Sequence, residues 1–242
     1  MQFSGRRGIT LLRFERAKTG ITTLDEILLG GFPRGSIILV AGGPGTGKTT
    51  FSAQFIYNGA IKYGEKGVYV TFTESAQTFI NYMYTLSWDF ERLVKEGSVE
   101  ILDFLSVKED KAIEEILDEI ISTVQNLGAK RLAIDSITAM LIPIKNPAET
   151  RATVSLLHKI LQKMDCTTIV TVENPWGKHL IGTGIEEFIA DGIILLETVP
   201  VRNELRRRLT ILKMRGTPYS LKYYQYTIGE GGIEVNPYPE IV

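Results

Sequence analysis

The stretch Ile37-Ile38-Leu39-Val40-Ala41-Gly42-Gly43-Pro44-Gly45-Thr46-Gly47-Lys48-Thr49-Thr50 decides the fold. It opens on five apolar residues, as a strand covered on both faces does. The turn after it matches G-x-x-x-x-G-K-[ST] and runs into a helical pattern, the strand–loop–helix setting that phosphate binding requires. Glycines there let backbone N–H groups turn inward around an anion, and the helix adds the positive end of its dipole. On this reading Gly42, Gly43, Pro44, Gly45, Thr46, Gly47, Lys48, Thr49 and Thr50 bind a nucleotide. Lys48 reaches the β- and γ-phosphates, and the Thr49 hydroxyl ligates Mg2+. A glycine-rich turn without a ligand is the alternative, and the Lys-Thr pair with its flanks argues against it.

Outward from this stretch, apolar runs alternate with amphipathic ones. Strands are expected at Ile37–Ala41, Gly67–Phe72, Val99–Asp103, Arg131–Asp135, Thr168–Val172 and Gly192–Glu197. Lys111–Asn126 carries one continuous apolar stripe at helical spacing, and Ala148–Met164 repeats the habit behind Pro147. This alternation predicts an α/β fold: a mainly parallel sheet with helices on both faces. Near the C-terminus, Arg207–Met214 and Leu221–Ile228 read as an antiparallel hairpin at one edge, joined by Arg215–Ser220. One domain over 19–242, preceded by a basic arm at 1–18, is the expected organisation.

Composition sets bounds. The chain has 242 residues, a net charge of −1 and 44% hydrophobic residues, so a large core is affordable and a wholly basic nucleic-acid coat is excluded. Cys166 is the only cysteine, which excludes an intrachain disulfide and a cysteine-based zinc site. It precedes an apolar strand and reads as buried rather than nucleophilic. His158 and His179 share no metal-ligand spacing. No apolar run approaches the length of a membrane span and no apolar signal region opens the chain, so no membrane partner and a cytoplasmic location are expected.

Two acids complete the candidate site. Arg131-Leu132-Ala133-Ile134-Asp135 is an apolar strand ending in a carboxylate, where a parallel neighbour of the phosphate loop would place a group to organise Mg2+. Tyr69-Val70-Thr71-Phe72-Thr73-Glu74 ends another strand at the same edge. Glu74 there is the candidate base for the attacking water, with a helix-capping or surface role as the alternative. The absence of an Asn-Lys-x-Asp pattern favours ATP over GTP.

With these residues in view, the sequence resembles the KaiC family of RecA-like ATPases over about residues 19–236. The segments that carry the likeness are Thr19-Gly20-Ile21-Thr22-Thr23-Leu24-Asp25-Glu26, Gly30-Gly31-Phe32-Pro33-Arg34-Gly35 and the phosphate loop. Further on come Ser87-Trp88-Asp89, Asp135-Ser136-Ile137-Thr138, Gly184-Ile185-Glu186-Glu187-Phe188-Ile189-Ala190-Asp191-Gly192 and Leu212-Lys213-Met214-Arg215-Gly216-Thr217. The resemblance implies a RecA-like core that assembles with itself into a ring, usually a hexamer, with ATP between subunits. It puts Glu74 at the catalytic glutamate. Lys213 and Arg215 fall at residues that reach the neighbour's γ-phosphate, and Glu173 at a nucleotide-sensing position. Where family members often carry two adjacent acids, this chain has Thr73-Glu74, so slow hydrolysis serving a regulatory or assembly switch is expected. The clock protein of the family has two tandem copies and this chain matches one. The copy that is phosphorylated carries neighbouring Ser and Thr where this chain has Glu187 and Phe188, so autophosphorylation there is not expected.

Other features stay open. The basic arm could pack on a neighbour, touch nucleic acid or stay solvated. Arg206-Arg207-Arg208 could guard a sheet edge or face a ring interface. Asn174-Pro175-Trp176-Gly177-Lys178-His179 lies where recombinases hold a DNA-facing loop, which keeps single-stranded DNA as the alternative partner, with ATP setting the oligomer state. Tyr219, Tyr223, Tyr224 and Tyr226 read as hairpin packing. Lys213 and Arg215, two apart on an expected strand, should face one way.

Overall fold

A computed structural model describes residues 15–105, 113–174, 187 and 189–238. In chain order its elements are β1 (Arg16–Ala17), α1 (Thr22–Ile27), β2 (Phe32–Pro33), β3 (Ile37–Gly42), α2 (Lys48–Tyr63), β4 (Gly67–Thr71), α3 (Ala76–Tyr84), α4 (Phe90–Lys95) and β5 (Val99–Asp103). Then come α5 (Ile113–Leu127), β6 (Arg131–Asp135), α6 (Ile137–Leu141), α7 (Pro147–Lys163), β7 (Thr167–Glu173), β8 (Gly192–Val201), β9 (Glu204–Met214), β10 (Tyr223–Gly229) and β11 (Gly232–Pro237). The main sheet has the order β11-β10-β9-β8-β3-β7-β6-β4-β5. The strands from β8 to β5 in that order are parallel, and β9, β10 and β11 extend the sheet in antiparallel fashion.

Strand β3 lies between β7 and β8, and every one of its residues is buried. Its side chains alternate as the pleat demands. Ile38 and Val40 enter one core with Phe51, Phe55 and Ile56 of α2, while Ile37, Leu39 and Ala41 enter the other with Leu117 of α5 and Leu157 and Leu161 of α7. The stripe read on α5 is the face that packs: Ile116, Leu117, Ile120 and Val124 are buried. Pro147 is the first helical residue of α7, and the Asn146 side chain caps it by accepting from the Ala148 N–H at 2.9 Å. Among the described residues, no helix is long and apolar enough to cross a membrane.

The antiparallel pair expected near the C-terminus is present as β9 and β10, and it is extended on both sides. Strand β8 runs to Val201, because its far end pairs with β9 through a tight turn at Arg202 and Asn203. A fourth strand of this group, β11, follows a turn at Glu230 and Gly231. β9 ends at Met214, and an irregularity in its pairing with β8 falls beside Lys213, so Arg215 lies in the turn and not on the strand with Lys213. Part of the basic arm is built into the fold, since Arg16 and Ala17 pair with Pro33 and Phe32. Residues 1–14 of the arm, and Pro175 to His179 of the proposed DNA-facing loop, lie outside the described residues.

Candidate nucleotide site

Gly47 has φ +89°, a left-handed conformation that side chains rarely adopt, and a Cβ there would stand 2.5 Å from Ile228 Cδ1. At Gly42 a Cβ would meet the Leu196 carbonyl at 2.6 Å. The loop is held from within by Thr46 Oγ1, which donates to the Gly43 carbonyl at 2.8 Å, and from outside by the Tyr226 hydroxyl, which donates to the Thr46 carbonyl at 2.6 Å. Tyr226, one of four tyrosines read as hairpin packing, is thus fully buried against the loop.

Lys48 Nζ folds back over the loop and donates to the carbonyls of Gly42 and Gly43 at 2.9 and 3.1 Å. Burial lowers its pKa, while the charges of Glu173 and Asp135 act the other way. No side chain caps the start of α2 at Gly47. A turn closed by glycines, an uncapped helix N-terminus and a lysine over both fit a polyphosphate.

Asp135 ends β6 and is almost fully buried. Its Oδ2 accepts from the Thr49 hydroxyl at 2.7 Å and from the Tyr69 hydroxyl at 2.8 Å, and its Oδ1 accepts from the Thr171 hydroxyl. Burial first, and then the Asp135 charge, pushes the Tyr69 phenol well above its ordinary range, so Tyr69 stays a donor. Tyr69 and Thr171 went unnoticed in the sequence. Their signal is positional: each lies on a strand beside β6 in the sheet, Tyr69 in the middle of β4 and Thr171 in the second half of β7. Thr49 and Asp135 offer hard oxygens, and among the described residues no cluster of three or more ligating side chains exists. Two hard oxygens suit Mg2+, which takes one or two protein oxygens and completes its shell with phosphates and water.

Glu74 is half-buried just beyond β4, whereas Thr73 is exposed. Burial, followed by the nearby Asp135 charge, raises the Glu74 pKa. Glu173 is level with Gly42 at the end of β7, its N–H held by Thr138 Oγ1 at 3.0 Å. Lys48, Thr49, Glu74, Asp135 and Glu173 therefore gather at one edge of the sheet. Lys213 and Arg215 do not join them. Lys213 Nζ donates to the Glu187 carbonyl at 3.4 Å, and Arg215 pairs with Asp191 at 3.2 Å. Asp191 N–H in turn donates to the carbonyl of Ile37, the first residue of β3, at 2.8 Å. Cys166 is buried, and burial pushes its thiol up to about 12, which leaves it unreactive.

The family model described as "ATPase: KaiC" matches residues 17–240, nearly the whole chain. The chain belongs to the KaiC family of ATPases. A UPF0273 protein of Methanocaldococcus jannaschii is 36% identical over 236 residues, covering 92% of this chain and 97% of that protein. The circadian clock oscillator protein KaiC of Synechococcus elongatus is 35% identical over 233 residues, but this chain covers only 44% of it. The crystal structure of a KaiC-like protein from Pyrococcus horikoshii superposes with a TM-score of 0.86 at 45% identity, over 93% of this chain and 100% of that one. The fold is therefore the KaiC-type RecA-like core, and the family supports an ATP-binding protein with a phosphate-loop ATPase site.

Proposed function

We propose that this protein is a Mg2+-dependent ATPase that assembles with itself into a ring, of hexameric type, in which each nucleotide lies between a phosphate loop and the Lys213–Arg215 segment of the neighbour. The observation that carries this reading is the separation of the two halves. Arg215 is bonded beside Asp191, level with Ile37, whereas the phosphate loop follows Gly42 at the other end of the same strand. Five strand residues span about 16 Å, more than an arginine side chain bridges. An isolated subunit thus keeps Arg215 away from its own phosphates, and a second copy supplies the missing half.

Within the site, the phosphate loop and Lys48 bind and orient the triphosphate. Thr49 and Asp135 would hold Mg2+, which when bound neutralises charge on the β- and γ-phosphates. Glu74 accepts the proton of the attacking water, and the upward shift of its pKa by burial and the Asp135 charge makes it a stronger base for that step. Glu173, whose charge acts on Lys48, would sense the state of the γ-phosphate. A single acid at the Thr73-Glu74 position supports slow turnover, as suits a switch that regulates or assembles. The DNA reading rests on the basic arm and on residues 174–179, of which 1–14 and 175–179 lie outside the described residues, so it stays the alternative.

Turnover per subunit, measured against protein concentration with mass by light scattering, tests the reading. Activity should rise as assemblies form and be indifferent to single-stranded DNA. Constant turnover down to the monomer would contradict the ring, and strong stimulation by DNA would favour the other partner.

A further inference from the structure

Asp191 occupies the junction between β3 and the turn that carries Arg215. Its Oδ2 accepts from the Ile37 N–H at 3.0 Å, and its own N–H donates to the Ile37 carbonyl at 2.8 Å. From the other side, its carbonyl accepts from the Arg215 N–H at 2.9 Å, and its Oδ1 accepts from Arg215 Nη1 at 3.2 Å. The carboxylate side chain is 23% exposed and the arginine side chain 60% exposed, so the fixed partner is Asp191 and the outward one is Arg215. The turn is braced further by Arg16, which donates to the Gly216 carbonyl at 3.2 Å and to the Thr217 hydroxyl. Together these bonds fix the backbone of Arg215 on both flanks and leave its side chain one polar anchor among the described contacts.

A free surface arginine samples many rotamers, and each must be given up before it can meet an anion. The guanidinium carries its donors in a rigid planar fork, so one nitrogen held by a carboxylate sets the direction of the others. An exposed ion pair of this kind adds little stability by itself. Its effect is geometric.

We propose that Asp191 is a positioning residue for Arg215, holding one edge of the guanidinium so that its remaining donors face a phosphate on a neighbouring copy. The inference rests on the trans reading above. It also has a built-in rival, an action of Asp191 on its own subunit's phosphate loop through Ile37 and β3.

Asp191→Asn keeps an acceptor for Ile37 N–H and removes the charge facing Arg215. Its assembly, melting temperature and affinity for a fluorescent ATP analogue should match wild type, while kcat falls about 10- to 100-fold, the scale of a slightly misplaced reacting group. Two comparisons separate the explanations. Asp191→Asn combined with Arg215→Ala should be no slower than Arg215→Ala alone. Asp191→Asn subunits mixed with Lys48→Ala subunits should regain turnover, since one supplies a sound phosphate loop and the other a sound finger.

Normal turnover of Asp191→Asn beside a slow Arg215→Ala would overturn the positioning role and leave the trans reading standing. Normal turnover of Arg215→Ala would remove both. Losses that multiply in the double variant, or no recovery on mixing, would assign Asp191 to its own phosphate loop. If Asp191→Asn melts early, Arg215→Lys carries the test. It keeps the charge but lacks the fork, so it should be slow, and wild-type turnover would overturn the proposal.

Discussion

The Thr49 hydroxyl donates to the Asp135 carboxylate across 2.7 Å, joining the first turn of α2 to the end of β6 although 86 residues separate them in sequence. The parallel order of the sheet brings this about, with β7 between β3 and β6 and α2 packed against all three. Asp135→Asn should keep the hydrogen bonds to Thr49 or Tyr69 in part while removing the charge that would hold Mg2+. Turnover should fall at least about 100-fold, and ATP affinity should lose most of its dependence on Mg2+. ATP titrations with and without the metal check it, and an unchanged Mg2+ dependence would exclude Asp135 from the metal site.

Lys48→Ala should abolish tight ATP binding or turnover, because the loop loses the cation folded over Gly42 and Gly43. Equilibrium binding of ATP checks this. Wild-type turnover by a pure preparation would sink the phosphate-loop reading.

Glu74→Gln should bind Mg·ATP and hydrolyse it about 100- to 10,000-fold more slowly, the usual share of a general base. In the wild type, activity should climb with pH through a pKa above the ordinary glutamate range, since burial and the Asp135 charge favour the protonated form. The same shift has a stability consequence. A carboxyl whose folded pKa is raised favours folding when protonated and loses that contribution as pH rises through the folded value. Glu74→Gln should therefore melt higher than wild type at neutral pH and not in acid. A substitution at Thr73 that stops hydrolysis while Glu74→Gln does not would shift the base by one residue.

At the opposite edge, the fully buried Arg131 pairs with Glu65 at 2.6 Å and donates to the Phe55 carbonyl at 2.8 Å, and Glu65 also bonds Arg34. Burial pushes the Glu65 pKa up, but the Arg34 hydrogen bond and the Arg131 charge outweigh it, and the net direction is down. Its contribution is thus present above the unfolded pKa and lost as pH falls through the folded one. Glu65→Ala leaves a buried charge without its carboxylate, a change that costs about 3–5 kcal/mol in such settings. Urea melts at neutral pH check it, and a loss below about 1 kcal/mol, the worth of an exposed pair, would contradict it.

The phosphate loop, the strand ending in Asp135 and the helical faces of α5 and α7 were legible because each is written locally: a fixed spacing, an apolar run, a stripe. Tyr226 and Thr171 were not, because their value depends on which strands become neighbours. Tyr226 meets Thr46 across 180 residues of sequence, and nothing near it says so. The extension of β8 to Val201 was hidden for a related reason. Glu197, Thr198 and Arg206 to Arg208 break the apolar pattern, yet cross-strand pairing of β8 with β9 carries the strand through them. Arg215 opens the turn after β9, as the loop expected at Arg215–Ser220 has it, and is held there by Asp191, so the shared strand face expected of Lys213 and Arg215 is not formed.

The most direct test of the ring is complementation between two inactive proteins. Subunits carrying Lys213→Ala and Arg215→Ala keep an intact phosphate loop, and Lys48→Ala subunits keep intact fingers. Loss of finger residues typically slows phosphoryl transfer by about 1,000- to 100,000-fold, so each protein alone should be nearly silent. Mixed assemblies, identified by mass with one partner tagged, contain interfaces that join the sound half of each. The account predicts that ATP hydrolysis returns in these mixtures to a measurable fraction of wild type. Mixed assemblies that form and stay silent would show that Lys213 and Arg215 do not act on the neighbour's nucleotide.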